Sequence, residues 1–179
     1  MKKLFFVPAL ALAMGLASCA GNSEKKEDNT ASTETSTTTE ATPAETTVPG
    51  IENVTLSNQW TVEGNDQMQF NINLIRVKAG EPVELTLKNV GSQPKEAMGH
   101  NLVILKPGVD VTTFGGEASQ AADSEYIPKS ALSSIVAHTK LLGPGEQDKI
   151  TVTLEKGVYD YICSFPGHFG IMKGKIVAE

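Results

Sequence analysis

Cysteine and histidine are nearly missing from this 179-residue chain, which holds two of the first and three of the second. With so few thiols, the multiple-disulfide framework that staples many small exported domains is excluded, and the fold must rest on a hydrophobic core. Beyond the N-terminus, no apolar run is long enough to cross a bilayer. Basic charge is also scarce. Lys and Arg number 15 against 21 Asp and Glu, a net charge of −6, and from residue 51 onward the balance is 11 against 15. Binding a phosphate backbone needs a basic face, so nucleic acid is not an expected partner. No internal repeat is visible.

The apolar run that does exist sits at the start. Lys2 and Lys3 precede an apolar stretch from Leu4 to Ala17, which is too short to span a membrane comfortably and reads as a secretory signal. It ends Leu16-Ala17-Ser18-Cys19, which resembles the lipobox of bacterial lipoproteins. That resemblance implies cleavage after residue 18 and lipidation of Cys19. Residues 19–50 are dense in Thr, Glu, Ser and Ala. They hold too little apolar surface to offset the entropy of ordering, so a disordered tether is expected, with a reach of roughly 30 Å. The remaining residues, 51–179, have the usual length of one domain.

Within that domain apolar and polar residues alternate with period two. Val83, Leu85 and Leu87 share one face of a segment, as do Ile150, Val152 and Leu154, and Phe70, Ile72 and Leu74. Alternation of this kind predicts antiparallel strands with one buried face. The continuous run Asn101-Leu102-Val103-Ile104-Leu105 predicts a strand buried inside a sandwich. Residues 112–136 break the pattern, and their stretch EASQAADSEY predicts a helix-bearing insertion. The fold class expected is an all-β Greek-key sandwich.

The scarce residues are not scattered. Cys163, His168 and Met172 fall within ten positions and offer a thiolate, an imidazole and a thioether. That combination suits copper better than calcium or magnesium, and zinc sites seldom use methionine. An electron-shuttling copper site needs a second imidazole. His100, at the start of the buried run, fits better than His138, which reads as a strand-end or surface histidine.

Several motifs then stand in one order: Gly64-Asn65-Asp66-Gln67-Met68-Gln69-Phe70-Asn71, Met98-Gly99-His100-Asn101, Ala137-His138-Thr139-Lys140-Leu141, and Cys163-x-Phe165-Pro166-Gly167-His168-x3-Met172-Lys173-Gly174. Together they resemble the azurin family of blue copper proteins. The resemblance implies a single type 1 copper held by His100, Cys163 and His168, with Met172 as an axial sulfur and the Gly99 carbonyl opposite. It implies that the backbone N–H groups of Asn101 and Phe165 point at the Cys163 sulfur, and that the Asn101 side chain ties the two ligand loops together. His168 is expected to present an exposed edge within an apolar docking patch that includes Met68, Ala97, Met98, Pro166, Gly167, Gly170 and Ile171. The chain departs from the family pattern in several places. It has no disulfide, Leu102 stands where a core tryptophan is common, Asn89 replaces a titrating histidine, and Phe169 adds a bulky ring beside His168.

The function expected is single-electron transfer by a monomeric, lipid-anchored protein on the periplasmic side of a bacterial envelope. Its partners would be redox proteins such as cytochromes, a reductase or a membrane respiratory complex. No nucleophile–base pair marks it as an enzyme. Storage or delivery of copper is the alternative.

Overall fold

The computed structural model describes residues 48–179. The signal segment, Cys19 and nearly all of the tether lie outside the described residues. Among the described residues, eight strands form two sheets. The first is three-stranded in the order β1 (Gln59–Gly64), β3 (Pro82–Asn89), β6 (Gln147–Thr153). The second runs β2 (Leu74–Val77), β8 (Lys173–Ala178), β7 (Gly157–Ile162), β4 (Val103–Leu105), β5 (Ile135–His138). The period-two pattern explains how they face each other. Val83, Leu85 and Leu87 of β3 are fully buried and meet Ile75, Ile104, Tyr161 and Ile176 of the opposing sheet in one core.

Three local expectations need correction. Two strand pairs, β1 with β3 and β2 with β8, are parallel rather than antiparallel. Alternation reports which face is buried but carries no information about strand direction. The expected strand face of Phe70, Ile72 and Leu74 is interrupted. Bends at Asn71 and Asn73 reset the phase, and β2 buries Ile75 and Val77 instead while Leu74 is only half-buried. The helix of the insertion also lies earlier than expected. After the single turn α1 (Lys95–Met98), it is α2, Val111–Ala118, and only Glu117 and Ala118 of the anticipated stretch belong to it. The Asp110 carboxylate caps it by accepting the Thr113 N–H at 2.7 Å, satisfying one of the donors that a helix start leaves unpaired. Residues 122–124 and 129–134 form 3₁₀ turns instead.

The insertion explains why β4 reads as a continuous apolar run. Ile104 points into the sandwich, whereas Val103 and Leu105 join a second cluster with Phe114, Ala118 and Ile127. β4 is therefore buried on both faces, by the opposing sheet and by the insertion. Leu102 is fully buried in the first core. Asn89 is buried at the end of β3, and its amide donates to the Leu142 carbonyl while its oxygen accepts the Gly91 N–H.

Close packing of β8 sets one firm requirement. A Cβ on Gly174 would lie 2.6 Å from the Asn73 carbonyl oxygen and would also strike the Tyr161 ring. Overpacking against backbone costs about 1–3 kcal/mol, so Gly174→Ala is expected to lower the unfolding free energy by that amount. A urea titration of the full chain against the substituted one checks it.

Candidate metal centre

The ligand candidates come from two elements that the fold brings side by side. His100 and Asn101 lie just before β4, and Cys163 follows the last residue of β7, with which β4 pairs through Val103 and Ile162. From Cys163 the chain turns through residues 163–172 into β8, closed by Cys163 N–H donating to the Met172 carbonyl at 2.9 Å and Met172 N–H donating to the His168 carbonyl at 2.8 Å. The short loop therefore folds back on itself and returns Met172 beside Cys163.

His100, Cys163 and His168 offer ligand atoms that all lie within 4.8 Å of one another, and all three residues are buried. Cys163 Sγ lies 3.5 Å from His168 Nδ1 and 3.9 Å from His100 Nδ1. A sulfur and a nitrogen bound in one trigonal plane at about 2.3 and 2.05 Å from a borderline metal lie about 3.8 Å apart. The spacing therefore matches two nitrogens and a thiolate sharing one ion. Met172 is fully buried in the cluster that holds Cys163. Its methyl carbon and the His100 ring both crowd the same backbone. A Cβ on Gly64 would sit 2.8 Å from Met172 Cε and 3.0 Å from His100 Cδ2, which places the thioether beside the imidazole. The Gly99 carbonyl lies 3.9 Å from the sulfur. Two imidazoles, a thiolate and a thioether form a donor set that fits a type 1 copper centre.

Burial governs the electrostatics. It pushes the Cys163 thiol up to about 12, while the N–H groups of Asn101 and then Phe165 pull the other way by hydrogen-bonding the sulfur. Burial, reinforced by the nearby His100, holds His168 down at about 4. Burial likewise lowers His100, against the raising effect of the Asn65 carbonyl. Both rings are thus neutral near pH 7, as metal binding requires. His100 Nε2 lies 2.9 Å from the Asn65 carbonyl oxygen. That acceptor fixes the proton on Nε2 and leaves the Nδ1 lone pair facing the sulfur.

Support beyond the ligands centres on Asn101. Its side-chain oxygen accepts the Ser164 N–H at 2.8 Å and its amide donates to Ser164 Oγ at 2.8 Å, joining the segment after His100 to the segment after Cys163. The insertion completes the knot. The Tyr126 carbonyl accepts the Ser164 hydroxyl at 2.8 Å, and the Tyr126 ring meets Phe165 edge-on at 5.0 Å. Glu125 and Tyr126 reach this position with φ of 54° and 62°, an uncommon conformation for side-chain-bearing residues.

Of the expected docking patch, Ala97, Gly167, Gly170 and Ile171 are exposed and Met68, Met98 and Pro166 are half-buried. His168 differs from expectation. It is only 2% exposed, because its ring packs on Phe165 at 4.7 Å and His100 at 5.2 Å. Phe169 follows it in the chain. Its ring, half-buried, packs against the cluster beneath the insertion. His138 is an exposed strand end and is not part of the ligand cluster. Sequence reasoning gave no role to Gly64, Asn65, Tyr126 or Ser164. Gly64 and Asn65 stood in a recognisable motif, but Tyr126 and Ser164 had no signal of their own.

Two outcomes follow from this geometry. Asn101→Ala would leave the buried Ser164 N–H without an acceptor, at about 1–3 kcal/mol, and is expected to lower the urea midpoint of the metal-free chain. The two depressed histidines also have a pH consequence. Between their folded values and the ordinary 6.5, the unfolded chain binds more protons than the folded one. Stability of the metal-free chain is therefore present above about pH 6.5 and lost as pH falls toward 4. Denaturation midpoints measured across that range check this, and His168→Gln is expected to flatten the decline.

Comparison with known proteins agrees with the geometry. Residues 56–179 match the family model for copper binding proteins of the plastocyanin/azurin family. The chain is 46% identical over 120 residues to outer membrane protein H.8 of Neisseria gonorrhoeae, covering 65% of this chain and 64% of that protein, just under two thirds of its length. It is 43% identical over 123 residues to azurin-2 of Alcaligenes xylosoxydans xylosoxydans, covering 65% of this chain and 93% of that one. Among solved structures, reduced auracyanin from Roseiflexus castenholzii superposes with a TM-score of 0.62 at 29% identity, over 70% of this chain and 99% of that one. An azurin from Methylomonas sp. strain J gives 0.61 at 31%, over 68% and 97%. With its His100–Cys163–His168 cluster beside Met172 and a family match across the whole sandwich, this chain belongs to the plastocyanin/azurin family of copper-binding proteins.

Proposed function

We propose that this protein is a monomeric, membrane-tethered carrier of single electrons, with His100, Cys163, His168 and Met172 holding one type 1 copper and the Gly99 carbonyl facing it. The observation that carries the reading is the closed cluster of one thiol and two imidazoles, all buried and within 4.8 Å. Bound copper supplies a Cu(II)/Cu(I) couple. The residues supply the rest. Loading requires the Sγ proton of Cys163 to leave, because burial keeps that thiol protonated on its own. The Asn101 and Phe165 N–H groups draw charge from the sulfur, which favours the reduced state. The Asn101–Ser164 bonds keep both ligand segments in one geometry, so little has to move when the charge changes.

The exposed backbone of Gly167 and Gly170, with Ile171 at 61% exposure, suits brief docking of a redox partner close to His168. Cytochromes, a reductase or a membrane respiratory complex would meet that requirement. Lipid on Cys19 would anchor the chain in a bacterial envelope, on the periplasmic side, and its likeness to a protein named for the outer membrane supports an envelope location. The carrier role needs no substrate site. Copper storage or delivery is less well supported, since a sulfur with no exposure hinders handing the ion on.

Adding one equivalent of Cu(II) to the purified chain is expected to give an intense blue absorption and an EPR spectrum with narrow copper hyperfine splitting. Cys163→Ser is expected to abolish the colour. A pale product with wide splitting would overturn the type 1 assignment. Shortening residues 22–48 is expected to slow electron delivery to a membrane-bound partner while leaving the reduction potential unchanged; equal loss of both would count against a tether.

A further inference from the structure

The residue next to ligand His168 does something that the copper site as described does not use. Phe169 is half-buried and packs into the cluster formed by β4 and the insertion, with Val103, Phe114 and Ala118 among its members. Its ring lies against the backbone of Gly115, inside α2. A Cβ built on Gly115 would collide with three carbons of that ring. Glycine in a helix interior is destabilising by roughly 0.5–1 kcal/mol relative to alanine. Gly116, next to it, faces open space. Only Gly115 is explained by a neighbour, and that neighbour is Phe169.

The loop on the other side of Phe169 has few holds of its own. Gly167 has φ of 81° with nothing within 4 Å of its Cβ position, and nothing surrounds the Cβ position of Gly170 either. Between these two glycines stand only His168, facing Cys163, and Phe169, facing α2. Backbone bonds from His168 N–H to the Phe165 carbonyl and from Met172 N–H to the His168 carbonyl set the turn. They do not fix it against the rest of the fold.

We infer that the Phe169 ring, seated in the notch left by Gly115, is a positioning residue that locks His168 and couples the insertion helix to the metal loop. Both positions are needed: the ring as knob and the missing side chain as socket. The lock also removes the ring from the docking surface, leaving the loop's outer face to Gly167, Gly170 and Ile171. The inference rests on the copper-carrier reading only for its metal readout.

The test is a double-substitution cycle in the full chain: Phe169→Ala, Gly115→Ala and both together. First, urea unfolding of the metal-free chain is measured. Gly115→Ala is expected to destabilise the wild-type background but to be neutral or stabilising when Phe169 is already alanine, because the socket is then empty. Additive effects would overturn the knob and socket. Second, the His168 ring resonances of the metal-free chain are expected to shift in Phe169→Ala, and to stay in place in Val83→Ala, which destabilises a core away from the loop. Third, removal of copper by a chelator from the loaded protein is expected to be several-fold faster in Phe169→Ala and restored toward wild type in Phe169→Leu. Unmoved ring resonances, or a release rate unchanged despite lost stability, would reduce Phe169 to ordinary packing and overturn the positioning role. Should the chain bind no copper, the first two measurements still decide the inference, while the carrier reading fails separately.

Discussion

Everything at this metal centre depends on joining two chain segments that are far apart in sequence. Asn101 does that with two bonds to Ser164. Without this join, His100 would belong to the start of β4 and Cys163 to the end of β7, and the sheet would only bring them near each other. The sheet itself fixes the coarse distance through the pairing of Val103 with Ile162. The amide then fixes the fine one. Side-chain amides suit this task because one group both donates and accepts, so two backbone segments can be joined without a charge entering the core.

The insertion turns out to be part of the same construction. It covers the outer face of β4, presents the Tyr126 carbonyl to Ser164, and lays the Tyr126 ring on Phe165. Two consecutive left-handed residues, Glu125 and Tyr126, hold that carbonyl in place. Such conformations persist only when surrounding contacts determine them. Here the Glu125 carboxylate accepts the Leu141 N–H at 3.2 Å and faces Lys95, while its carbonyl accepts from Asn101 at 3.3 Å.

The ligands were legible in the sequence because thiol, imidazole and thioether are rare in this chain and chemically distinctive. The alternating face of β3 was legible because one side meets the core and the other meets solvent. Other features leave no such mark. The partner that sets the His100 proton is a backbone carbonyl at Asn65, and any residue type carries a carbonyl. The helix of the insertion lies earlier than its helix-forming residues suggest because Gly115 and Gly116 look like breakers, and the contact that accounts for Gly115 comes from a ring 54 positions away. The parallel pairing of β1 with β3 and of β2 with β8 is a property of chain routing, which local alternation does not encode.

Cys163 is a free, fully buried thiol, and it is the one cysteine among the described residues. The sandwich therefore owes none of its stability to a crosslink whose formation depends on its surroundings. It needs no oxidase to mature, and a reductant does not loosen it. The same burial protects the sulfur, since oxidation beyond the thiol requires both access and thiolate character. Before folding neither protection exists. The vulnerable interval in the life of this protein is the time before closure of the sandwich, when an oxidant can reach the sulfur that the finished fold encloses.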